Sequence, residues 1–572
     1  MRETTFRRSL HLGSSLAAGL AAAALAASPA PALAQEPAHQ HHHQPGMPTT
    51  TTDGAGVPLY DNLGSLGHKV TTASTAAQKF FDQGLRLTYA FNHDEAIASY
   101  TAATREDSTC AMCWWGIAYA MGPNINAPMD TAVYRPAYAA IQQAVKLAPE
   151  ATAYERDMIE AMATRYGPEP VANRAPLDSA YTRARKKVAG KYPDDPEAQT
   201  LYAEALMDLT PWNYWDDRGA KPRAGTQEVV ATLERIIRKN PTHIGACHFY
   251  IHTVEASTTP GRALPCADMM AEQIPGAGHL VHMPSHIYMR VGQYDRVVNH
   301  NHDAVAADQH YVQDRKPTGF YKYTYYPHNW HMLWSGLIQL GRGSEAINAS
   351  RELVKVVPVD VVSTVPPLEY FFPAPYWTLV RFGKYDEMLA EPAPAASLEY
   401  TTGMWRYARG IALAARGKTA EAQAELDSVV AVTAATPPDA PAGINMQKTL
   451  LSLAERHLAG RLALAKADTA AAIAALEQAI EHEDKLLYDE PPAWYHPIRQ
   501  DLAGVHLSMG HAKVAEKLYR EDLVHYPHNG WSLYGLARSL EAQKKTAEAK
   551  KVDAQYRKTW GKADVRPLEV GS

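Results

Sequence analysis

Little in this sequence favours a disulfide scaffold, a nucleic-acid surface or a membrane span. Four cysteines in 572 residues are too few to staple a fold. Lysine and arginine number 56 against 61 acidic residues, and no basic cluster marks a nucleic-acid face. The apolar run near the start is alanine-rich, short and ends at Pro29, which predicts no membrane span. Enzyme signatures are missing too: there is no G-x-S-x-G, phosphate-binding loop, H-E-x-x-H or dinucleotide fingerprint. Strand signal is almost absent. No familiar enzyme class is assigned, and whether the chain catalyses anything stays open.

Residues 1–34 read as an export signal. Arg7-Arg8-Ser9-Leu10-His11-Leu12 precedes an Ala/Leu-rich run, and Ala32-Leu33-Ala34 offers a cleavage site. The arginine pair resembles a twin-arginine signal, with a plain secretory signal as the alternative. Either predicts a periplasmic or secreted bacterial protein with no membrane span once the signal is removed. Residues 35–76 form a linker rich in Pro, Thr and His. Its stretch from Ala38 to His43 is either a disordered tail or a metal-catching arm. Cys110 and Cys113 form a lone C-x-x-C. Cys247 and Cys266 fall on the two helices of one predicted hairpin, so a cross-link after export is one option for them.

From residue 77 to 565 the pattern is helical in hairpin-length units. One unit carries Gly84, Ala96, Tyr100 and Ala103; the next has Trp114 and Ala118 at its core. Small and aromatic residues at such places suit two helices that pack closely and then stack on another pair. This pattern resembles the tetratricopeptide-repeat superfamily over most of residues 77–560. More narrowly, HMPSHIY (282–288) and YYPHN (325–329) resemble segments of exported bacterial repeat proteins. The resemblance implies an all-α, right-handed superhelical solenoid of antiparallel hairpins, curved enough for early and late repeats to approach. It also implies a protein or peptide partner in the concave groove, while the charge balance predicts no nucleic-acid partner.

Histidine is where the sequence departs from an ordinary repeat array. His248 and His252 lie four apart, and His282 and His286 repeat them 34 residues later, one repeat period. Side chains four apart share a helix face, close enough for two imidazoles to bind one ion. Residues 243–331 hold eleven of the 25 histidines. In the superfamily, the second, fifth and ninth residues of a unit's first helix face the groove. Counting from Ile244, Gly278 and Pro327 puts His248, His252, His279, His282, His286, His328 and His331 at those places. Glu255 extends the stripe of His248 and His252, and Glu204 is ninth in the unit beginning at Pro196. Imidazoles with one or two carboxylates suit a transition metal, zinc or copper first, iron or manganese also. The alternative is a polar groove whose histidines bond one another or a peptide. Pro284 conflicts with a straight helix: either the helix starts there, or it kinks there. His300 and His302 belong to a second helix and are left out.

Two aromatic stretches flank the cluster. An inserted segment, 312–326, brings Phe320, Tyr321, Tyr323, Tyr325 and Tyr326, as a pocket wall or lid or as a cap on the solenoid. Trp212, Tyr214 and Trp215 form a second loop with the same two readings. Asn124 and Asn126 turn the chain or bond a ligand, and His496 sits in a structural connection. Three functions follow as expectations. The first is an exported interaction module with a histidine-rich metal site in its groove. The second is a metal-dependent hydrolase or oxidase, with Glu255 or Glu204 as general base for a metal-activated water. The third is a metal-free periplasmic scaffold.

Overall fold

The computed structural model describes residues 49–52, 56–316 and 321–567. Segment 1–34, the histidine-rich run 38–43 and Phe320 lie outside these. Among the described residues are 26 α-helices and three two-stranded hairpins of two to four residues per strand. None of those helices is long and apolar enough to cross a membrane.

Local rules place the helices. Ser74 caps Thr75–Tyr89 by accepting from the Ala77 amide, Asp195 does the same for Pro196–Met207, and Thr152 with Glu155 makes a reciprocal capping box. Most helices pack on the next, and the first helices of successive hairpins also pack on one another, as Thr75–Tyr89 does on Ala111–Ala120 and Glu399–Ala415 on Gln447–Ala465, the arrangement of stacked hairpins. Tyr100 shows why small residues recur: its buried ring lies between two helices, and a Cβ on Gly84 would stand 2.7 Å from it and one on Gly116 2.4 Å. The result is the all-α superhelical repeat fold expected. The end of the linker belongs to it: Tyr60, Leu63 and Val70 are buried, and Thr71 bonds Glu155 through its amide and its hydroxyl.

The expected approach of early and late repeats goes further than a curved groove. The segment 484–528 closes on the 212–292 region: Arg218 Nη2 lies 2.6 Å from His525 Nε2, and the Tyr488 hydroxyl donates to Glu255 at 3.2 Å. Trp531 Nε1 donates to the Ile338 carbonyl at 3.0 Å. The two regions thereby meet through side-chain contacts. The inserted segment is corrected as well. It lengthens two helices, Tyr294–Arg315 and Tyr321–Gln339, so Tyr321, Tyr323, Tyr325 and Tyr326 lie on a helix and not on a loop.

Candidate metal centre

The helix Ile244–Val254 is buried along its whole length. Its start is fixed by His243, whose Nδ1 accepts from the Ala246 amide at 3.0 Å while its Nε2 meets Glu197 at 3.0 Å. The next histidine helix is broken, as Pro284 requires: Gly278–His282 and Pro284–Arg290 meet at Met283, which keeps helical angles. The kink leaves His282 and His286 on one face, Nε2 to Nε2 at 2.8 Å. A third helix, Tyr321–Gln339, supplies His328. Asp308 seats it, accepting from Tyr321 at 2.6 Å and Asn329 at 2.7 Å beside Gly278, where a Cβ would come within 2.2 Å of the carboxylate. Burial raises the Asp308 pKa to about 8.

Six imidazoles meet where these helices cross. The ligating atoms of His248, His252 and His279 lie within 4.8 Å of one another, as do those of His282, His286 and His328. The two trios touch: ring centres are 5.5 Å apart for His252 and His286 and 5.9 Å for His279 and His282. All six rings are at most 1% exposed, so they do not line an open groove, as the repeat positions predicted. Phe91, Trp212 and Tyr325 pack on His248, His252 and His279, and Glu490 meets His286 from the far repeats.

The outward nitrogens decide what the inward ones carry. His248 Nδ1 lies 2.6 Å from the Tyr89 carbonyl, which only accepts. His282 Nδ1 faces Asn301 Oδ1 at 2.7 Å, and that amide is oriented because its Nδ2 donates to the Val297 carbonyl. Glu255 takes His252 Nδ1 on one oxygen at 2.8 Å and His286 Nδ1 on the other at 2.7 Å. Four rings therefore donate outward from Nδ1 and turn an Nε2 lone pair inward. Between His282 and His286 two such lone pairs confront each other at 2.8 Å, which needs a positive charge: a proton on His286, or a metal ion. Burial opposes charge on His286, but Glu255 and Glu490 outweigh it and lift its pKa to about 10. Burial and the His252 charge push His248 well down; burial and His286 push His282 and, with His282, His328 the same way. Burial works against the Glu255 anion, yet His286 and His252 hold it well below the carboxylate range.

Apolar and aromatic rings close the centre. Phe91 lies 4.4 Å from the His248 ring and 5.4 Å from that of His279; Trp212 sits edge-on to His252 at 4.9 Å and Tyr325 to His279 at 4.9 Å. Asn126 ties the last two walls together, accepting from Trp212 Nε1 at 3.0 Å and donating to the Tyr325 hydroxyl at 3.1 Å.

Several expected site residues lie elsewhere. His331 is on the same helix as His328 but faces Trp334, Tyr370 and Phe371, ring centres 5.2 to 5.4 Å away, and joins neither trio. Burial takes its pKa down to about 3. Glu204 is buried beside Arg165 and Arg185, away from the imidazoles; burial raises its pKa against those two cations. Glu255 orients two histidines through Nδ1 and so is placed as their holder, not as a base facing the inner nitrogens. Tyr321 serves Asp308, Tyr326 bonds near Trp330 and Gln309, and Tyr323 packs at the edge of the core under Lys322. Tyr214 is buried, and Trp215 donates to the Thr253 carbonyl at 2.6 Å. Both candidate cysteine pairs are joined, Cys110 to Cys113 and Cys247 to Cys266.

Sequence reasoning missed Glu490, whose Oε2 lies 3.3 Å from His286 Nδ1, and Tyr488, which donates to it at 2.8 Å. Burial raises the Glu490 pKa to about 7 despite His286. A second group, His457, His496 and Asp501, also converges. Arg461 at 3.1 Å already balances Asp501, and both histidines donate to that carboxylate, so it reads as an internal ion-pair network. Beside the six-imidazole centre opens a cavity of about 750 Å³ whose lining includes Trp212, Tyr488 and Glu490.

No family model matches the chain, and no curated protein matches it. Solved structures give distant likenesses. The human IFIT1 dimer with m7Gppp-AAAA aligns over 86% of this chain and 91% of its own at 10% identity, TM-score 0.32. The APC/C hetero-tetramer Cut9-Hcn1 covers 85% and 88% at 12% and 0.26, and the P58(IPK) TPR domain 82% and 99% at 12% and 0.21. These values are too low to speak of ligand or partner.

Proposed function

We propose that this chain is an exported bacterial metalloprotein whose two histidine trios hold a pair of transition-metal ions, within a repeat frame that also forms a ligand cavity alongside. One observation carries the reading: on four of the six rings the Nδ1 proton is committed outward and the Nε2 lone pair turns inward. A single proton satisfies one facing pair of nitrogens; two sets of three nitrogens suit two ions. An all-imidazole inner set with no carboxylate favours zinc or copper over manganese. Three protein ligands per ion, not a closed four, leave a position for an outside molecule. Such ions would supply Lewis acidity or, for copper, electron exchange.

The chain's own residues do the rest. Tyr89, Asn301 and Glu255 hold four rings in one tautomer and one orientation. Phe91, Trp212 and Tyr325 keep water from the rings. This favours a metal-dependent enzyme or small-molecule binder over a peptide gripped by the imidazoles, because a peptide in the outer groove does not reach rings buried to this degree. A partner protein on the outer repeats is the second reading, favoured by the repeat frame itself.

Elemental analysis of protein purified without a histidine tag tests the proposal. About two ions per chain are expected, falling toward one in His248→Ala/His252→Ala and separately in His282→Ala/His328→Ala. Less than about 0.2 ion per chain, unchanged by either pair of replacements, would overturn it.

A further inference from the structure

A thin partition stands between the six-imidazole centre and the cavity of about 750 Å³ beside it. Trp212 lines the cavity and stands edge-on to the His252 ring at 4.9 Å. Ala256 follows Glu255 in the chain, and Met289 and Arg290 end the helix that carries His286; all three line the same space. Tyr488 and Glu490 come from the far repeats, with Glu490 Oε2 3.3 Å from His286 Nδ1. The cavity is therefore one side chain away from each trio, although the rings themselves are at most 1% exposed.

The parts of this partition differ in what it takes to move them. Tyr488 donates to Glu490 at 2.8 Å and to Glu255 at 3.2 Å, and the Arg290 guanidinium lies 5.4 Å from its ring. Displacing it breaks bonds to two buried carboxylates, which are the strong kind. That side also reaches His286 at Nδ1, the atom already committed to Glu255. Arg290 is fixed on the Glu255 and Ser257 carbonyls at 3.0 and 3.2 Å.

Trp212 is held differently. It is half-buried, and its Nε1 donates to a neutral acceptor, Asn126 Oδ1, at 3.0 Å. Its φ of +61° lies in the left-handed region, which a bulky residue rarely adopts. Such backbone persists only where its surroundings enforce it, and it gathers at ligand clamps and switches. The loop that follows is pinned. The Tyr214 carbonyl accepts from the Arg223 amide at 2.9 Å and the Thr226 hydroxyl at 2.7 Å, and the Gly219 carbonyl from the Thr258 amide at 3.1 Å. Gly219 passes so close under the Ala256 carbonyl that a Cβ would stand 2.2 Å from it. With the loop anchored, the indole is the part left to turn, about its own side-chain torsions.

We infer that the cavity is the entrance to the centre and that Trp212 is its gate: turning the indole lets a small molecule pass from the cavity to His252 and the first trio. The Tyr488–Glu490 side stays shut. The inference rests on the metal reading only for what the molecule meets on arrival, since the way to the imidazoles exists with or without an ion.

Carbethoxylation of single histidines by diethyl pyrocarbonate tests it, read by peptide mass spectrometry on the full chain before and after dialysis against a chelator. Trp212→Ala should raise the His252 rate in dialysed protein at least about tenfold, with His331 and His457, buried elsewhere, unchanged. Trp212→Phe keeps a ring but loses the bond to Asn126 and should raise it less. Tyr488→Phe should leave His252 and His282 as slow as in the wild type. An equal rise at His331 and His457 would mean general loosening and overturn the gate. So would an unchanged His252 rate in whichever Trp212 variant folds, or exposure of His282 by Tyr488→Phe alone. Ions are counted in the undialysed samples, so gated labelling of a chain that carries no metal upholds this inference while the metal reading fails. Bound ions with an ungated His252 give the reverse.

Discussion

Replacing Glu255 by glutamine should cost the centre metal affinity without removing a ligand. Both oxygens of Glu255 accept, from His252 Nδ1 at 2.8 Å and from His286 Nδ1 at 2.7 Å, one histidine from each trio. A glutamine has one accepting oxygen, and its NH₂ would face the N–H of the other ring. That ring must move its proton to Nε2 and loses the lone pair it turns inward. One trio should therefore weaken and the other stay nearly intact. Loss of a group that orients a metal-bound histidine weakens binding about 10- to 100-fold, or about 1.4–2.8 kcal/mol. Competition against a chelator of known affinity, with ions counted after dialysis, gives both constants. Glu255→Asp keeps the charge but shortens the reach and should fall between. Wild-type affinity at both positions in Glu255→Gln would refute the claim that this carboxylate sets the tautomers.

Two further outcomes follow from packing. His331 is held neutral, its pKa lowered to about 3 from an ordinary value near 6.5, so an unfolded chain binds a proton there that the folded chain refuses. Its contribution is therefore full above pH 6.5 and is lost as pH falls toward 3, by up to about 1.4 kcal/mol per unit. In urea unfolding, His331→Leu should gain on the wild type between pH 7 and 4.5 and should leave the ion count unchanged. A pH-independent difference, or a lost ion, would contradict this. Gly116→Ala places a Cβ 2.4 Å from the pinned Tyr100 ring and should destabilise by about 1–3 kcal/mol, whereas Gly190→Ala, with open space around it, should be neutral or better. Equal thermal midpoints for the two variants would show that the Tyr100 seat gives way.

How much of this was legible depends on sequence range. The repeat frame was, because Gly84 and Tyr100 carry their packing in local spacing. So was the pairing of His248 with His252 and His282 with His286, since a helix face is a local property and Met283 keeps the kinked helix turning through Pro284. His331 was misplaced because a position in a repeat names a face but not the neighbour on it; three residues after His328 the helix has turned toward Trp334 and Phe371. Glu204 failed for the same reason, its face being taken by Arg165 and Arg185. Glu490 lies in DEPPAWYHP, an acidic pair followed by prolines outside any helix, and only the closure of the superhelix brings it to His286. The one visible signal was two adjacent acids in a stretch otherwise made of core aromatics and prolines.

The contact between His286 and Glu490 spans 204 positions, and the Tyr488 wall of the cavity arrives with it. Hairpins can form as soon as each pair of helices leaves the ribosome, but the room they enclose has no far side until nearly the whole polypeptide exists. Biosynthesis thus sets an order: framework first, enclosure last. Until the final hairpins dock, the imidazoles stand open to whichever ion the surroundings offer. On the proposed metal reading, the compartment in which that docking happens, more than any preference of the finished centre, would then select the ion enclosed.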